Sequence, residues 1–204
     1  MKIDASDMLN SILESLSRID YIHADEIPNI DLYMDQVTTF MDSQLSSTRR
    51  YEQDKILTKT MINNYAKNRL LPAPEKKKYS KEHMLLLIYI YYYKGILSIG
   101  DIQSLLEPLT ERYFHTKEPL NMQAIYEEVF SLEKSQVEKM KADVIESYRI
   151  ASGTFADAPE EEQQFLHIFS FICLLSFDVY VKKQVIEKLI DGLPRRESGK
   201  KHKE

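Results

Sequence analysis

Apolar residues recur along this chain at intervals of three and four, and that spacing predicts helices throughout. A first helix opens at Ser6 or Asp7, with Met8, Leu9, Ile12, Leu13, Leu16 and Ile19 on one stripe. Ile27-Pro28-Asn29 breaks the chain, and Leu32–Leu45 follows as a second helix with Val37, Phe40, Met41 and Leu45 turned inward. The third covers Lys59–Asn68 with Thr58 as N-cap. On its wheel Met61, Ile62 and Tyr65 fall on one face, and Thr60, Asn63, Asn64 and Lys67 on the opposite one. Leu71-Pro72-Ala73-Pro74 is extended, because proline disfavours helix at the residue before it. Ser80 caps a helix over Lys81–Lys94, apolar nearly all round from Met84 to Tyr93. Such a helix has to be covered on several sides.

Beyond Gly95, Ser98-Ile99-Gly100-Asp101 opens a short helix that Pro108 is expected to end. Asn121 then caps one long helix to about Ile150, with Ile125, Val129, Leu132, Val137, Met140, Val144 and Tyr148 in a single stripe. Ala151–Pro159 reads as a linker. Glu160-Glu161-Glu162 suits the start of a final helix that Gly192 and Pro194 stop. Its apolar run, Phe165–Val181, is interrupted by His167, Ser170 and Asp178, which favours a buried bundle helix over a membrane span. Alternating β-branched runs are absent, so the expected class is all-α.

Composition narrows the picture. A chain of 204 residues can form one sizeable core or two small domains. The single Cys173 excludes a disulfide within the chain and, flanked by Ile172 and Leu174, reads as an inert core thiol. Met1–Asn10 is amphipathic and acidic, unlike a secretory signal, so a cytoplasmic location is expected. The net charge is −5, but it is unevenly spread. Between Arg49 and Lys94 eleven basic residues face four acidic ones, a local +7 that leaves −12 for the remainder. A basic island in an acidic chain is the electrostatic footprint of one anionic contact.

Residues for catalysis are lacking. His23, His83, His115, His167 and His202 are scattered, with no second ligand at metal spacing. There is no phosphate loop, dinucleotide fingerprint or Gly-x-Ser-x-Gly elbow, and paired acids such as Glu127-Glu128 lie on predicted helix surfaces. No enzyme activity, cofactor or metal is expected.

Over about Leu32–Leu106 the chain resembles the winged helix-turn-helix head of mercury-resistance (MerR-type) regulators. The matching residues are Leu57-Thr58, Ile62, Tyr65, Leu70-Leu71-Pro72, Tyr79-Ser80-Lys81-Glu82 and Gly95–Ile102. Asn63-Asn64 stands where that family carries Arg-Tyr, and Arg69 where it carries Gly. As a whole the chain is similar to a family of uncharacterised proteins of low-GC Gram-positive bacteria, classed as a domain of unknown function.

The expected organisation is an N-terminal helix (1–31), a helix-turn-helix head (32–110), a C-terminal helical bundle (111–194) and a disordered basic tail (195–204). Thr60, Asn63, Asn64 and Lys67 are the candidate base readers, since short amides and hydroxyls suit base edges. Arg49, Arg50, Lys59, Arg69, Lys76, Lys77, Lys78 and Tyr79 are the candidate phosphate contacts. The MerR resemblance implies double-stranded DNA as partner and a homodimer, for which Val137 and Met140 are the interface candidates. A helical interaction or adaptor module without DNA affinity stands as the alternative, favoured by Asn63-Asn64.

Overall fold

The computed structural model describes residues 5–16 and 21–194, so Ile19 and the basic tail lie outside the described residues. The described chain is all-α apart from one two-residue strand pair. Its elements are α1 (Ala5–Leu16), β1 (Leu32–Tyr33), α2 (Met34–Leu45), α3 (Lys59–Lys67), β2 (Lys78–Tyr79), α4 (Lys81–Tyr93), α5 (Ile99–Tyr113), α6 (Met122–Ser131), α7 (Glu133–Ser152) and α8 (Glu160–Asp191). As far as their residues are described, they form two compact units, Ile22–Tyr126 with Val185–Glu204 and Met1–Tyr21 with Glu127–Gln184. The division falls elsewhere than at 31 and 110: α1 groups with α7, and α5 and the first half of α6 with Ile22–Tyr126.

In the unit holding Ile22–Tyr126, α4 is the core. Met84 to Ile90 are seven consecutive residues, none more than 4% exposed. A helix buried on every face can fold only if its neighbours surround it. Val37, Met41 and Leu45 of α2, Ile62 and Tyr65 of α3, Ile102 and Leu106 of α5, and Met122 and Tyr126 of α6 complete this core. The Tyr126 hydroxyl donates to the Ile22 carbonyl at 2.6 Å, and its ring meets Tyr89 edge-on.

Each end of α4 is tied. At its start the Ser80 amide donates to Nδ1 of His83 at 3.0 Å, so the proton of the neutral ring sits on Nε2. At its end Lys94 donates to the Ile56 carbonyl at 2.8 Å and lies 4.4 Å over the Tyr91 ring. Partial burial lowers the Lys94 pKa, the usual response of an amine withdrawn from water. Lys94 thus anchors the loop before α3 and leaves the basic island.

Three expectations are corrected. Pro108 does not end the helix after Ser98: α5 runs on to Tyr113. Ile102 and Leu106 are buried on one side, and Pro108 faces solvent, where water can meet the Ser104 carbonyl that the proline cannot satisfy. The single long helix after Asn121 is divided at Leu132 into α6 and α7. Leu132 keeps helical dihedrals, so the apolar stripe carries across a break that periodicity cannot register.

The third correction concerns α8, expected to be buried. Its turn end is packed: Phe171 is 4% exposed and meets Tyr148 edge-on, and His167 Nε2 lies 2.8 Å from the Thr154 carbonyl. From Ile172 to Val181, however, every residue except Leu175 is exposed, Cys173 included.

His83 generates a pH prediction. It is 1% exposed, and its pKa falls from 6.5 to about 4 through burial, opposed by the Ala73 carbonyl. The folded form therefore binds this proton less readily than the unfolded chain. Its stabilisation is complete above 6.5 and is lost as pH falls through about 4, a change of about 3 kcal/mol. Thermal melts across that window should show wild type losing stability more steeply than His83→Phe; parallel profiles would contradict this account.

Candidate nucleic-acid interface

Two of the interface candidates, Lys59 and Lys78, meet residues at the start of α2. β1 pairs with β2 antiparallel, Leu32 opposite Tyr79 and Tyr33 opposite Lys78. This brings the Lys78 ammonium to 5.3 Å from the Tyr33 ring centroid. Two residues on, Asp35 forms an ion pair with Lys59 at the start of α3. The root of the basic hairpin and the N-terminus of α3 therefore flank the same turn of one helix.

Thr58 caps α3 by accepting the Met61 amide at 3.2 Å. Ile62 and Tyr65 are buried, and burial raises the Tyr65 pKa. Thr60, Asn63, Asn64 and Lys67 are all exposed. The helix closes in a Schellman arrangement: the Leu70 amide reaches the Tyr65 carbonyl at 2.9 Å and the Arg69 amide reaches that of Ala66 at 3.2 Å. The residue at the turning point is Arg69, with φ of 59°. Glycine or asparagine is the ordinary choice there, because a Cβ crowds the backbone in the left-handed region.

The hairpin repeats this choice. Glu75 to Lys78 form a tight turn closed by the Lys78 amide on the Glu75 carbonyl at 2.8 Å. Lys76 and Lys77 at its centre have φ of 49° and 64°. Positive φ at both central residues is the type I′ turn, for which Asn-Gly is the favoured pair. Here two exposed lysines hold those positions. Of the five non-glycine residues with positive φ among the described residues, three are lysine or arginine, one at the end of α3 and two at the hairpin tip.

Other candidates fare differently. Tyr79, expected to contact phosphate, is 4% exposed and packs edge-on against His83, so it is a core residue. Arg49 is ion-paired with Asp42, and Arg50 lies over the Tyr51 ring at 5.2 Å. Asp35, Asp42 and Tyr33 are neighbours of the candidate cations that sequence reasoning missed; periodicity put Tyr33 in the second helix, whereas it lies in β1, and only the tertiary fold shows which cation each meets. In the other unit Val137 is half-buried and Met140 is 49% exposed.

Residues 22–129 match a family model described as Domain of unknown function (DUF1836). That is more than half of the chain, which belongs to this family. No curated protein and no solved structure matches it.

The left-handed lysines and arginine predict an inverted mutational response. Arg69→Gly and Lys77→Gly should each raise stability by about 0.5–1 kcal/mol in urea denaturation, because the strain they relieve exceeds the entropy glycine adds to the unfolded chain. Lys78→Gly, which has no left-handed strain to relieve, should not stabilise. Equal destabilisation by all three would refute the argument.

Proposed function

We propose that this member of the DUF1836 family is a DNA-binding transcriptional regulator of the cytoplasm, with a MerR-like winged helix-turn-helix head that contacts duplex through the exposed face of α3 and the basic hairpin. The observation that carries this reading is the presence of Arg69, Lys76 and Lys77 at three left-handed positions where a neutral residue would be more stable. Charge held against conformational preference points to an anionic partner. Asn63 and Asn64 on the exposed face of α3 have donor–acceptor pairs suited to adenine edges, and Thr60 and Lys67 flank them. Arg50 and Lys55 add exposed positive charge to the same unit.

A second reading, a helical protein-interaction module without DNA affinity, draws support from the ion pairs Lys59–Asp35 and Arg49–Asp42, which neutralise two of the expected phosphate contacts. Salt dependence separates the two readings. For DNA binding, log K should fall linearly with log salt, and Lys76→Ala/Lys77→Ala/Lys78→Ala should flatten the slope by nearly one unit per lost contact, alike for all sequences. An unchanged slope in the triple variant would remove the hairpin from the interface.

Sequence readout is tested separately. Asn63→Ala should relax preference at one base position by about 1–3 kcal/mol in competition binding while leaving the melting temperature nearly unchanged. A large loss of melting temperature would contradict an outward Asn63.

A further inference from the structure

The cations of the unit holding Ile22–Tyr126 fall into two sets. Among the described residues, Lys67, Arg69, Lys76 and Lys77 are exposed and have no carboxylate partner. Lys59 and Arg49 each have one, Asp35 and Asp42. Both carboxylates belong to α2, one in its first turn and one in its last. Seven residues separate them, so they share one side of the helix, away from the buried Val37, Met41 and Leu45. The two pairs stand at opposite ends of the connection between α2 and α3, with Arg49 near its start and Lys59 opening α3. Asp35 and Asp42 lie outside the basic stretch Arg49–Lys94 whose charge they offset.

The side chains concerned are open to water: Asp35 is 77% exposed and Lys59 58%, Asp42 53% and Arg49 24%. Pairs this exposed contribute little to folding. They do decide what a docking anion meets, because a phosphate offers these cations the same anionic oxygens that the carboxylates do. Lys59 precedes Asn63 by one helical turn, at the edge of the candidate reading face. A duplex close enough for Asn63 to meet a base therefore brings its backbone towards Lys59.

We propose that Asp35 and Asp42 are specificity-setting residues that stand in for DNA phosphate, holding Lys59 and Arg49 in the free protein and in loose encounters and releasing them only to a duplex seated against α3. The proposal rests on the DNA-binding reading and assigns the two aspartates a role within it. Lys67, Arg69, Lys76 and Lys77 make the first, sequence-independent contacts. Withholding two further cations at that stage keeps non-specific affinity low, which widens the gap between right and wrong sites.

The test is binding of the full chain to a short random-sequence duplex over a series of salt concentrations. Asp35→Asn/Asp42→Asn should tighten this binding by about tenfold at low salt and steepen the slope of log K against log salt by about two units, one for each freed cation. Adding Lys59→Gln/Arg49→Gln in the same chain should return the slope to that of the wild type. Glu107→Gln/Glu118→Gln, an equal change of charge outside α2, should leave the slope nearly unchanged. The melting temperature of the Asp35→Asn/Asp42→Asn chain should barely move.

An unchanged slope in Asp35→Asn/Asp42→Asn while the wild type binds, or a steeper slope that persists without Lys59 and Arg49, would overturn the inference and leave the DNA-binding reading standing. Loss of the folded circular-dichroism spectrum in Asp35→Asn/Asp42→Asn would make the pairs structural and overturn it as well. Absence of salt-dependent binding by every one of these chains would overturn both.

Discussion

Burial of α4 is the constraint on which the unit holding Ile22–Tyr126 depends. Seven consecutive residues, Met84 to Ile90, are shielded from water, and no single neighbour can shield a helix on all sides. The surrounding elements are therefore held by what they cover. Ile62 and Tyr65 turn α3 so that Asn63 and Asn64 must face out. Tyr79, buried beside His83, fixes the base of the hairpin whose tip carries Lys76 and Lys77. The same apolar demand thus orients the polar face and the basic turn. The ties at Ser80–His83 and Lys94–Ile56 hold both ends of α4 against the segments leading to them.

Against this rigid frame, the left-handed residues stand out energetically. Arg69 closes α3, and Lys76 and Lys77 make the hairpin turn, each in a conformation that disfavours a side chain by about 1–2 kcal/mol. Nothing in the packing of the unit demands charge at these points, since all three side chains are exposed. Fold stability alone does not account for them. His115 and Phe155 share the left-handed region but lie elsewhere, His115 with its amide donating to Glu82 at 2.9 Å.

Much of this was legible in the sequence, for identifiable reasons. The bounds of α3 and α4 follow from Thr58, Ser80 and the apolar spacing, because caps and periodicity are local properties. The all-α class followed from the absence of alternating strands. What was not legible depended on tertiary partners or on subtle backbone changes. Pro108 was expected to stop α5, but packing of Ile102 and Leu106 outweighs the lost hydrogen bond. Leu132 breaks the helix without leaving helical dihedrals. The apolar run in α8 predicted a buried helix, but its exposure from Ile172 to Val181 depends on what packs beside it, and the ion pairs of Lys59 with Asp35 and Arg49 with Asp42 join residues whose proximity no local pattern encodes.

The most direct test of the central claim is residue-resolved. Amide spectra of the isotopically labelled full chain, titrated at low salt with a short duplex, would locate the contact surface. The account predicts shifts concentrated at Thr60, Asn63, Asn64 and Lys67 and at Arg69 and Lys76–Lys78, reversed on adding salt. Shifts confined to other surfaces, or none at duplex concentrations that saturate ordinary non-specific binders, would contradict it.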